Sequence, residues 1–122
     1  MNSPFISNPV ATRLDVARGA DMMGSEAALR NILATVLVSL SADVPSMDAA
    51  LQAGDVASAN RMLHALKGYV PIFGSDALIE QVVSVEKLSK TESATVVQVA
   101  YAQLGPELHG LLAEIQYFLD VG

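Results

Sequence analysis

Residues 54–74 read GDVASANRMLHALKGYVPIFG. Gly54 followed by Asp55 marks the end of one helix and the start of another. A glycine suits the C′ position of the first, and an aspartate side chain caps the N-terminus of the second. From there Val56, Ala59, Leu63, Leu66 and Val70 recur at three- and four-residue intervals, which is one apolar stripe of an α-helix. Gly74 and Ser75 close that helix and open the next. Two capped helices joined by a tight connection predict an antiparallel pair.

The same punctuation extends in both directions. Upstream, Ser25 is a good N-cap, Glu26 favours the helix dipole, and Leu29, Ile32, Leu33, Val36, Leu37 and Leu40 form a wide apolar face. Pro45 then predicts either a bend or a new helix with proline in its first turn, since an interior proline costs about 3 kcal/mol. Met47, Ala50 and Leu51 carry the spacing on to Ala53. Downstream, Leu78, Val82, Val85 and Leu88 share a face, and residues 90–93 are a polar turn. A last helix carries Val97, Ala100, Leu104, Leu108, Leu111, Ile115 and Phe118, with a kink expected at Pro106. A short helix is expected over residues 10–18, ended by Gly19. No alternating strand pattern persists. The expectation is an all-α fold: an antiparallel four-helix bundle with a short additional N-terminal helix packed at one end. Residues 1–8 are expected to be a flexible arm, and residues 9–122 a single domain.

The totals narrow the function. The chain has 122 residues, 52% hydrophobic, with no cysteine and no tryptophan. A disulfide framework and a thiolate zinc site are excluded. A net charge of −6 argues against a nucleic-acid or anionic-membrane surface. The longest apolar run, residues 32–40, is too short to span a bilayer, and residues 1–9 lack a secretory pattern. A soluble cytoplasmic protein is expected. No phosphate-binding glycine motif or metal-ligand spacing is present.

Within the opening stretch, His64, Lys67 and Gly68 share one helical flank, about 100° round from Leu63. That places a nucleophilic nitrogen, a cation and bare backbone beside the core stripe. Neutral imidazole is a competent nucleophile near neutral pH. A phosphoryl adduct would bring roughly two negative charges, which Lys67 can meet with a charge-assisted hydrogen bond. Gly68 lacks a side chain that would obstruct a partner, at up to about 1 kcal/mol of helix propensity. Asn60, one turn before, is a weaker candidate for contacting the ring or the phosphate. His109 offers a contrast: Leu112 and Ala113 follow at the matching positions, so it is expected to be a surface histidine.

His64-Ala65-Leu66-Lys67-Gly68, followed by Phe73-Gly74, resembles the H-x-x-K-G motif of the histidine-containing phosphotransfer (HPt) domain family. Ala77, Leu78 and Glu86 match residues common in that family. Leu51-Gln52-Ala53-Gly54-Asp55 resembles the turn that often precedes its active helix, and Pro45 a proline of the preceding hairpin. The resemblance covers nearly the whole chain. It implies a phosphoryl carrier rather than a self-sufficient enzyme: His64 accepts phosphate from one receiver-domain aspartate and passes it to another. It further implies Lys67 as the phosphate-orienting cation and Gly68 as the clearance residue. Response-regulator receivers are the implied partners, with a hybrid sensor kinase as a further candidate. No cofactor of its own is implied, because the receiver brings the magnesium. Tyr69 and Pro71 depart from the family pattern, and Pro71, one turn after Lys67, is expected to end or bend the helix and to touch the partner surface. The start at Met1 favours a free-standing carrier, and a monomer is expected. Two alternatives are a non-phosphorylated helical module that binds and regulates a receiver or kinase, and a helical dimerisation domain.

Overall fold

The computed structural model describes residues 12–121 and contains five helices: α1 (Val16–Met23), α2 (Glu26–Gln52), α3 (Val56–Phe73), α4 (Asp76–Thr91) and α5 (Ala94–Val121). The arm expected at residues 1–8 lies outside the described residues. Helices α2 to α5 close into a ring in which each packs against the next and α5 returns to α2. Cross-helix bonds fix the antiparallel sense of that closing pair. Gln98 donates to the Leu51 carbonyl, Tyr101 Oη to Asp48 (2.5 Å), and Arg30 to the Phe118 carbonyl (3.0 Å). The short helix α1 lies across α2 and α3. The chain is therefore an antiparallel four-helix bundle with an added N-terminal helix.

Most of the expected stripes form the core; on α4 Leu88 is only half-buried, and Glu86 and Ser89 are buried beside Leu78, Val82 and Val85. Leu29, Leu33, Leu40, Leu63, Leu66, Leu104, Leu108, Leu111 and Ile115 are all essentially without solvent exposure. Each such side chain contributes about 1.5–3 kcal/mol on burial. That magnitude decides the fate of the prolines. Met47 and Leu51 follow Pro45, Phe73 follows Pro71, and Leu108, Leu111 and Ile115 follow Pro106, all of them buried. Their burial offsets the roughly 3 kcal/mol that each proline costs, so α2, α3 and α5 run unbroken through all three. Pro71 does not end α3, which continues to Phe73.

The helix starts follow their caps. Ser25 accepts from the Ala28 N–H, Asp55 from Ser58 and Ser75 from Leu78. The first helix departs from the expected residues 10–18. It begins after Asp15, which accepts from the Arg18 N–H, and ends at Gly24, whose φ of 95° is left-handed. Gly19 is buried inside it, and a Cβ there would stand 2.6 Å from Leu29 Cδ1. That glycine permits α1 to approach α2 and does not stop the helix.

The segment before α1 is bonded to the α3–α4 turn. Asp15 N–H donates to the Phe73 carbonyl (2.7 Å) and Ser75 N–H to the Arg13 carbonyl (2.9 Å), flanking a bridge between Leu14 and Gly74. Arg13 ion-pairs with Glu107 and Glu114 on α5 (3.0 and 2.8 Å), crossing Gly110, where a Cβ would collide with its guanidinium. Helix α2 is long and apolar enough to cross a membrane by length and composition, which the run at residues 32–40 alone conceals. In the bundle it buries Leu29, Leu33, Val36, Leu40, Val44, Met47 and Leu51.

Gly74 is crowded against backbone, since an added Cβ would lie 2.7 Å from Val70 Cγ1 and 2.9 Å from the Val70 carbonyl. Gly74→Ala is expected to destabilise the fold by about 1–3 kcal/mol. Urea denaturation should show a lower midpoint at unchanged slope, and an unchanged midpoint would refute the crowding.

Candidate functional site

The site lies on the α3–α4 pair, the most extensive helix–helix contact in the molecule. Asn60, His64 and Lys67 share a flank of α3 by their i, i+4, i+7 spacing. Glu86, Ser89 and Lys90 share a flank of α4 by i, i+3, i+4. The two flanks face each other. Asn60 Nδ2 donates to Ser89 Oγ (2.8 Å), and Ser89 Oγ donates to the Glu86 carbonyl (2.6 Å). Ser89 is buried, so this chain of bonds ties the two helices one turn from His64.

Glu86 is the centre of the cluster, with 1% of its side chain exposed. Three groups converge on its carboxylate. Lys67 Nζ lies 3.3 Å from Oε1; His64 Nδ1 and Lys90 Nζ each lie 3.4 Å from Oε2. Burial pushes the Glu86 carboxyl up, but hydrogen bonds from Lys67, His64 and Lys90 outweigh it and hold it below the usual carboxylate range. Glu86 is therefore a carboxylate at neutral pH.

His64 is 69% exposed at its side chain while its Nδ1 faces the interior. A proton on Nδ1 donates toward Oε2, which leaves Nε2 as the unprotonated nitrogen. Lys67 is one turn on and partly covered. Gly68 is exposed, and nothing lies within 4 Å of where its Cβ would stand. No internal contact requires a glycine there, although its cost to the helix is about 1 kcal/mol. Pro71 continues the same flank and is half-buried. Asn60, expected near the ring or the phosphate, is turned to Ser89 instead. Tyr69 packs its ring on Phe73 at 6.1 Å between centroids, with its hydroxyl buried and without a hydrogen-bond partner. Burial, with the charge of Asp43, pushes that phenol up to about 12. It fills space beside the site and does not cover His64. His109 is exposed on α5, its Nε2 3.1 Å from Asp48, away from the cluster.

A sequence model of the Hpt domain matches residues 31–117, which is 87 of the 122 residues. The chain belongs to the Hpt domain family. No curated protein and no solved structure gives a match. Hpt domains serve histidine phosphotransfer in phosphorelay signalling and act as phosphocarrier modules, interacting typically with response-regulator receivers. The matched span contains every residue of the α3–α4 cluster.

Sequence reasoning reached His64, Lys67 and Gly68 but not the assembly under them. Glu86 entered only through its family resemblance and Ser89 not at all, while Lys90, expected in a polar turn at residues 90–93, lies in the last turn of α4, which runs on to Thr91 because its stripe stays packed against α3. The available signal was Glu86 next to Val82 and Val85, on the edge of an apolar stripe, followed by a lysine at i+4. On a solvent-facing helix that pair is an ordinary surface ion pair; only the packing of α3 makes it buried.

Because the folded Glu86 carboxyl is depressed, the unfolded chain binds its proton first as pH falls. Its contribution to stability is present above about pH 4.3 and is lost as pH drops through the folded value. The stability gap between wild type and Glu86→Gln, read by urea unfolding, is expected to narrow from neutral pH to pH 3. A gap that widens toward acid would contradict the charged state assigned to Glu86.

Proposed function

We propose that His64 is the phosphoryl carrier of this Hpt domain, accepting phosphate from a receiver aspartate and delivering it to a second receiver. The observation that carries the proposal is the exposed imidazole whose Nδ1 rests on buried, charged Glu86. In the forward step the Nε2 lone pair attacks phosphorus, the N–P bond forms, and the P–O bond to the receiver aspartate breaks. The aspartate leaves as a carboxylate. The proton already on Nδ1 stays there, and Glu86 stabilises the imidazolium that results. On delivery the same proton makes neutral imidazole the leaving group. Neither direction needs a proton to be moved.

Lys67 supplies a charge-assisted hydrogen bond to the phosphoryl oxygens. Gly68 supports the docking geometry, because its open Cβ position lets the receiver approach the ring. Magnesium belongs to the receiver and not to this chain. The domain acts as a cytoplasmic monomer, and its docking surface is the exposed flank of α3 around His64, reaching Pro71.

Incubation with a phosphorylated receiver should give an acid-labile, base-stable phosphoprotein, and His64→Gln should abolish it. Lys67→Ala should slow labelling without unfolding the domain. Gly68→Ala is expected to gain up to about 1 kcal/mol of stability while losing transfer. No label on His64 with any cognate receiver, together with signalling left intact in His64→Ala, would sink the proposal in favour of a non-phosphorylated binding module.

A further inference from the structure

Glu86 has two lysines where one would balance its charge, and they come from different helices. Lys67 reaches Oε1 from α3, while Lys90 reaches Oε2 from α4, four residues on from Glu86 itself. We propose that Lys90 is the reserve counter-ion of Glu86, and that its presence frees Lys67 to turn from the carboxylate to the phosphoryl group on His64. The inference rests on the carrier role proposed for His64.

Geometry assigns the two lysines different parts. Lys90 Nζ and His64 Nδ1 are each 3.4 Å from the same oxygen, so Lys90 and the Nδ1 edge of the ring share Oε2. Lys67 holds the other oxygen from the same helical flank as His64 and can leave without disturbing Lys90. Unphosphorylated, the cluster of Glu86, Lys67, Lys90 and neutral His64 carries one net positive charge. The phosphoryl group brings roughly two negative charges; the imidazolium formed on His64 offsets one, and Lys67 turns to meet the other. Without Lys90, the departure of Lys67 would leave a carboxylate that is 1% exposed with only the Nδ1–H of His64 to meet it, at a desolvation penalty. With Lys90 in place Glu86 stays paired, and Ser89 and Asn60 hold its backbone in register from the same side. Lys90 is thus a positioning residue that acts through Glu86.

The test uses the free domain and phosphoramidate, whose P–N bond breaks to release ammonia as the imidazole N–P bond forms. The phosphoryl ionisation is then titrated by 31P NMR. Lys67→Gln should raise the midpoint by about half a unit or more, because a neighbouring cation favours the dianion. Lys90→Gln should raise it in the same direction, and Lys90→Arg should restore it. In a Glu86→Gln background, Lys90→Gln should have no effect, because no buried charge remains to be held. A wild-type midpoint in Lys90→Gln overturns the inference, as does an equal shift in the Glu86→Gln background, which would mean that Lys90 meets the phosphoryl directly. If the label maps to His109 or does not form, the carrier role of His64 fails and this inference with it. Label on His64 with a silent Lys90 overturns this inference alone.

Discussion

A carboxylate sealed between two helices has to be met by positive charge, and Glu86 organises the α3–α4 surface by that requirement. Leaving it unpaired would cost several kcal/mol, so Lys67, Lys90 and the Nδ1 edge of His64 are drawn to it from both helices. The histidine gains a defined orientation although most of its side chain is in water. One buried charge thus coordinates three mobile side chains that a surface helix would otherwise leave to rotate freely.

The bundle was legible because its signals are local. Gly54-Asp55 and Gly74-Ser75 bracket α3, and the stripe between them uses spacing that only a helix satisfies. His64, Lys67 and Gly68 could be placed on one flank for the same reason. What the sequence withheld is what arises between helices. Glu86 at the edge of its stripe does not reveal that α3 will cover it, and Asn60 does not reveal that Ser89 will take its amide. Local spacing decides which residues share a face; packing decides what that face meets.

Two local signals also competed with tertiary structure and lost. The prolines of α2, α3 and α5 weaken single turns, while buried side chains beyond each one hold the helix in phase. Gly19 resembles a stop signal, yet it is needed for the close passage of α1 over Leu29. In both cases a few kilocalories of backbone preference oppose a comparable or larger amount of burial.

The backbone bonds from Arg13 and Asp15 to the α3–α4 turn have a further meaning for encounters with other proteins. They fasten one end of the helical hairpin, and the Asn60–Ser89 bond fastens it on the other side of His64. These bonds hold the hairpin backbone on both sides of His64, so association need order only a few side-chain torsions. A complex formed on such a surface loses little conformational entropy. Such a complex can form and part quickly, which suits the carrier role proposed for His64.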